Sequence, residues 1–222
     1  MRIHNYIEND PKAQSLRWLS DAEAFTRPKP ALRIRDGSCA LLVVDMNRYF
    51  THPSGPRYLP ASAYAQKNIQ SLLARWRSAG WRVAFARHGH LNDTDAGMFN
   101  KFFSGYILTG SPDAEIIDEI TPTPVEPVFD KNSYDAFLGT SLQQWLTDVH
   151  CDQLLICGVL THMCVETTAR AAFCRGFEVY IPVDAVAADN ELNHINGLQS
   201  MAQTVAVLYT TEQILQRKAP PR

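Results

Sequence analysis

The chain has no apolar run near the ~20 residues needed to cross a bilayer, and its opening residues carry no apolar stretch of a secretory signal. It contains no G-x-G-x-x-G and no G-x-x-x-x-G-K-[ST] loop, so nothing in it points to a nucleotide. It lacks a C-x-x-C pair. Its five cysteines, Cys39, Cys151, Cys157, Cys164 and Cys174, are odd in number and irregularly spaced, which argues against a disulfide framework or a zinc site and for a reduced, cytoplasmic setting. There is little excess charge: 21 Lys and Arg against 23 Asp and Glu give a net −2. That leaves no electrostatic case for nucleic acid or an anionic membrane as partner. Internal repeats, low-complexity tracts and linker-like composition are also missing.

What is present is an ordinary globular composition, 45% hydrophobic and 20% charged over 222 residues, enough for one domain with a full core. Residues 1–37 are polar and punctuated by proline. They read as an N-terminal arm, with a short helix over residues 13–25, packed over the domain or against a neighbouring subunit. From residue 38 to 222, short apolar runs alternate with helical spacing. The runs are 39–46, 81–86, 126–131, 154–160, 177–183 and 204–209, and the helices between them include 64–79, 141–149, 165–175 and 193–202. This alternation predicts an α/β domain: a three-layer α/β/α sandwich around a mostly parallel sheet. Residues 92–109 read as a loop-like insertion. Its Met98, Phe99, Phe102, Phe103 and Tyr106 form either an aromatic wall over the site or a separate hydrophobic cluster.

Three of the apolar runs end in residues that carry chemistry. The first ends in Asp45, the third in Lys131, and the fourth turns abruptly through Gly158 into a helix bearing Cys164. Ligands bind beyond the carboxyl ends of the strands in such sheets. The topology therefore gathers a carboxylate, an ammonium and a thiol at one edge. Asp45 can accept the thiol proton as a general base and return it to a leaving amine. Lys131 can keep Asp45 ionised and favour the thiolate. A helix N-terminus beside Cys164 would also favour the thiolate.

With these residues in view, the sequence resembles the isochorismatase-like cysteine hydrolases, which include nicotinamidases, N-carbamoylsarcosine amidases, ureidoacrylate and biuret hydrolases, and isochorismatases. Three segments carry the resemblance: Leu42-Val43-Val44-Asp45-Met46-Asn47-Arg48-Tyr49-Phe50, Phe129-Asp130-Lys131-Asn132-Ser133-Tyr134-Asp135-Ala136-Phe137, and Gly158-Val159-Leu160-Thr161-His162-Met163-Cys164-Val165. The resemblance implies an Asp45–Lys131–Cys164 triad. It implies a cis peptide at Val159–Leu160 and an oxyanion hole from the N–H groups of Leu160 and Cys164. It also places Phe50 in the pocket with Asn47 and Tyr134 near it, and Thr161 and His162 within the nucleophile turn, where His162 either fills the turn or meets substrate.

Nicotinamidases hold a metal in a D-x-H motif with a further histidine. This chain has Arg87-His88-Gly89-His90 there, without the aspartate. His88 and His90 are therefore read as substrate-facing donors or a polar rim, and no metal or organic cofactor is expected. Isochorismatases proper cleave a vinyl ether and commonly lack the cysteine. Retention of Cys164 favours a covalent intermediate on a C–N bond of a small amide, ureide or carbamoyl compound. The alternatives are vinyl ether hydrolysis with Cys164 incidental, or a non-catalytic small-molecule-binding protein. The resemblance also implies a homo-oligomer, dimer or tetramer.

Overall fold

A computed structural model describes residues 3–24 and 26–217. Seven strands, β1 (Cys39–Val44), β2 (Val83–His88), β3 (Val128–Lys131), β4 (Gln153–Val159), β5 (Glu178–Pro182), β6 (Val186–Ala187) and β7 (Ala206–Tyr209), form one sheet. Its order is β3-β2-β1-β4-β5-β7, with the short β6 on β4. Every strand pair is parallel. The helices are α1 (Pro11–Glu23), α2 (Arg48–Thr51), α3 (Ser62–Ser78), α4 (Asp93–Phe103), α5 (Leu142–Asp148), α6 (Glu166–Cys174), α7 (Glu191–Thr204) and α8 (Thr211–Leu215).

The three layers follow from side-chain alternation along fully buried strands. In β1, Ala40, Leu42 and Val44 join one core with Trp18 of α1, Leu142 of α5, Ala169 of α6 and Leu198 of α7. The intervening Cys39, Leu41 and Val43 join the other core with Ile69, Leu72 and Trp76 of α3 and Ile214 of α8. Both faces of the sheet are thus covered, as the sequence pattern predicts.

The central strands β1 and β4 approach so closely that only glycine fits at 158. Its φ is +115°, and a Cβ there would stand 2.0 Å from the Val44 carbonyl oxygen.

One local expectation needs correction, and two further features went unanticipated. Residues 92–109 are not a loop throughout. Asn92 caps α4 by accepting the Asp95 N–H at 3.0 Å, and Gly97 (φ 47°) breaks the helix in the middle, which hides its periodicity. The helix following β4 starts with a wider π-turn over Thr161–Val165, before regular α6. The two-residue β6 was too short to leave a sequence signal.

The stretch before β1 lies on the domain. Trp18 and Ala22 are buried, and the Trp18 indole donates to Glu191 at 2.8 Å. The expected end of its helix at Phe25 lies outside the described residues, as do residues 218–222. No helix is long and apolar enough to cross a membrane among the described residues.

Candidate active site

The sheet order places the chemistry. At the carboxyl edge, Lys131 ends β3 in register with His88 of β2, Asp45 follows β1, and Cys164 sits in the turn after β4. Asp45 adopts φ 52°, a left-handed conformation that aspartate tolerates better than most residues. Both Asp45 and Lys131 have fully buried side chains.

The Lys131 ammonium is the hub. It donates to Asp45 Oδ2 at 2.7 Å and to the Ser133 carbonyl at 3.0 Å. It also lies 3.4 Å from Cys164 Sγ and 3.4 Å from His88 Nδ1. Asp45 Oδ1 is buried and has no hydrogen-bond partner, so one acceptor in the cluster stands free for a proton.

Burial pulls the ammonium down, but Asp45 and Cys164 together push it above its ordinary value, so Lys131 is charged. Burial pushes the Cys164 thiol well up, Asp45 adds to this, and Lys131 only partly opposes it. Desolvation and the neighbouring carboxylate thus work against the expected thiolate stabilisation by a helix N-terminus and favour the neutral thiol. Burial, with Lys131 next, lowers His88 to about 4, so its imidazole is neutral.

Above the sulfur lies a cavity of about 90 Å³. Phe50, His88, Tyr134, Leu160 and Cys164 line it, as do Phe99, Phe103 and Tyr106 of the α4 region. The aromatic-wall reading therefore holds for those three, while Met98 and Phe102 point outward, 68% and 77% exposed. Sequence reasoning missed Ile3, Tyr49, Arg57, Met163 and Asp189, which also line the cavity. Tyr49 and Met163 lie in motif segments that could have flagged them.

Four residues expected at the substrate do not reach the cavity. Asn47 is buried and donates to the His88 carbonyl at 3.3 Å. Thr161 Oγ1 pairs with His194 Nδ1 at 2.9 Å under α7. His162 packs against Gly197, with Nε2 3.9 Å from Asp189. His90 is fully buried behind His88. Arg87 is bound in a forked pair to Asp130 at 2.6 and 3.1 Å. The Val159–Leu160 peptide is cis.

Asp45, His88 and Cys164 bring donor atoms within 4.8 Å of one another, close enough for a metal ion. The Lys131 ammonium already stands among them. The two histidines at the D-x-H position face each other, Nε2 to Nε2, at 3.0 Å. These residues do not fit a metal site, since a cation and a hydrogen bond already engage the donors.

A cysteine, a lysine and an aspartate thus converge at the carboxyl edge of the parallel sheet of an α/β/α hydrolase. The chain belongs to the isochorismatase family: residues 39–213 match the Isochorismatase domain. It is 36% identical over 178 residues to Nicotinamidase 3 of Arabidopsis thaliana, covering 79% of this chain and 86% of that protein. It is 30% identical over 178 residues to phenazine biosynthesis protein PhzD1 of Pseudomonas aeruginosa, covering 79% and 84%. Among solved structures, a cysteine hydrolase from Pseudomonas syringae pv. phaseolicola superposes with TM-score 0.79 at 28% identity, covering 86% of this chain and 97% of that one. N-carbamoylsarcosine amidase from Thermoplasma acidophilum gives 0.71 at 26%, covering 79% and 97%.

Proposed function

We propose that this protein is a cysteine amidohydrolase that cleaves a C–N bond of a small amide, ureide or carbamoyl compound through an acyl-enzyme. The observation that carries the reading is the single ammonium spanning Asp45 at 2.7 Å and Cys164 at 3.4 Å beneath an open cavity. Asp45 takes the thiol proton on Oδ1 as the sulfur attacks the substrate carbonyl, and Lys131 turns towards the forming thiolate. Charge on the carbonyl oxygen is met by the N–H groups of Leu160 and Cys164, each such donor contributing about 3 kcal/mol in other hydrolases. Asp45 returns its proton to the leaving nitrogen, then activates water to release the acid.

The cavity wall is overwhelmingly aromatic and aliphatic, and Arg57 is the one permanent cation lining it among the described residues. With the Asp189 carboxylate also on the wall, that supports an uncharged substrate over a polyanion, and hence the amidase over an ether-cleaving enzyme. The domain division at residue 37 and a homo-oligomer, dimer or tetramer, belong to the same proposal. The exposed Leu91, Met98 and Phe102 support the latter, and light scattering should give a mass above the 24.9 kDa chain. A cytoplasmic setting suits five unpaired cysteines.

The test is ammonia release from a panel of primary amides, ureides and carbamoyl amino acids, with Cys164→Ala alongside. Release that disappears in the variant supports the proposal. Release that persists in the variant would overturn covalent catalysis, and turnover of isochorismate alone would move the assignment to ether hydrolysis.

A further inference from the structure

His90 is fully buried, does not touch the cavity, and cannot meet substrate as first expected. A continuous line of contacts nevertheless joins it to the hub of the site. Lys131 Nζ lies 3.4 Å from His88 Nδ1, His88 Nε2 lies 3.0 Å from His90 Nε2, and His90 Nδ1 faces Asp95 Oδ2 at 3.6 Å. Asp95 is itself fixed. Its Oδ2 accepts the Leu91 N–H at 2.8 Å, and its Oδ1 accepts from Asn132 Nδ2 at 2.7 Å. Phe99 roofs both imidazoles, its ring centre 5.0 Å from His88 and 5.1 Å from His90.

We propose that His90 and Asp95 are positioning residues that act through His88 on Lys131, holding the His88 ring in the tautomer whose Nδ1 lone pair faces the ammonium. An ammonium has three N–H bonds and no lone pair. Two of them go to Asp45 and Ser133, and the third is shared between Cys164 Sγ and His88 Nδ1, equidistant at 3.4 Å. A proton on His88 Nδ1 would set two donors head to head. Nδ1 must therefore accept, which puts the His88 proton on Nε2.

That proton requires an acceptor, and His90 Nε2 at 3.0 Å is positioned to be one. The His90 proton then sits on Nδ1, which has no hydrogen-bond partner of its own and faces the Asp95 carboxylate at 3.6 Å as a charge contact. Each link dictates the next, as when a carboxylate selects the tautomer of a working histidine. Both imidazoles are neutral, each lowered chiefly by burial, so a single tautomer is meaningful. The consequence for catalysis rests on the amidohydrolase reading: His88 holds the third N–H until the thiolate forms and draws it away.

The test pairs spectroscopy with kinetics. Long-range ¹H–¹⁵N correlation spectra of the ¹⁵N-histidine-labelled protein, recorded without substrate, should show His88 protonated at Nε2 and His90 at Nδ1. His90→Leu removes the acceptor and should release His88 into mixed tautomers, lowering kcat about 10–100-fold with KM little changed. His90→Gln keeps an oxygen where Nε2 was and should restore both the tautomer and most of kcat.

A wild-type His88 protonated at Nδ1, or equal losses in the Leu and Gln variants, would overturn the inference. Should the Leu variant not fold, the wild-type and Gln spectra decide alone. The spectra need no turnover. A protein inert towards amides retires the amidase reading only, and an active one with the wrong tautomer retires only this inference.

Discussion

Replacing Lys131 with methionine separates the stability of the site from its chemistry. Lys131 and Asp45 are both fully buried and 2.7 Å apart. Methionine keeps the length of the side chain and removes its charge, leaving the Asp45 carboxylate alone among buried groups. Breaking such a pair from one side costs about 3–5 kcal/mol. At about 2–4 °C per kcal/mol for a domain of this size, Tm should fall by roughly 6–20 °C. Adding Asp45→Asn removes the orphaned charge, and pairs replaced on both sides are commonly near neutral. The double variant should therefore recover most of the lost Tm while remaining inactive, a coupling well beyond additivity for contacting residues. Scanning calorimetry on the wild type, both single variants and the double gives the cycle. A Lys131→Met protein as stable as wild type, or a double variant no more stable than it, would refute the reasoning.

Burial lowers His194 to about 3 and His88 to about 4. The unfolded chain takes up both protons near ~6.5, so unfolding binds protons and stability falls as pH drops from about 6.5 towards about 3, being fully present above that window. Tm measured across it should decline, more shallowly in His194→Gln, and a flat profile would contradict the buried neutral imidazoles. Phe103 lines the cavity, with Arg57 over its ring at 6.0 Å. Phe103→Ala should raise KM about tenfold with kcat nearly unchanged, the mark of lost uniform binding. A fall in kcat at constant KM would place Phe103 in the chemistry instead.

The layers and the edge that carries the site were legible because both depend on local pattern. Runs such as Leu41 to Val44 and Leu154 to Val159 are apolar on both faces, and the residues ending them are brought together by parallel topology alone. Gly158 was visible for the same reason, as a backbone position with no room for a side chain. Helix α4 was not, because Gly97 interrupts its period. Its signal was the cap, with Asn92 three residues before Asp95. Side-chain direction on the turns was beyond reach: His90, Thr161 and His162 carry the right chemistry but point into the fold. The ionisation of Cys164 was misjudged because a helix end can be read from sequence, whereas complete burial beside Asp45 cannot. Ile3 reaches the cavity from well over a hundred residues away from Cys164, a contact that leaves no trace in any period.

The neutral, covered state of Cys164 bears on the durability of the protein. Oxidation of cysteine proceeds through the thiolate and follows exposure. Cys164 is buried with its thiol pushed up and meets solvent only through the cavity, and Cys39 and Cys157 are likewise buried with their thiols pushed up. Only Cys174 stands in solvent. Peroxide should therefore mark Cys174 first and leave the sulfur beneath the cavity reduced, so that the protein tolerates oxidants that would silence a hydrolase with a permanently ionised cysteine.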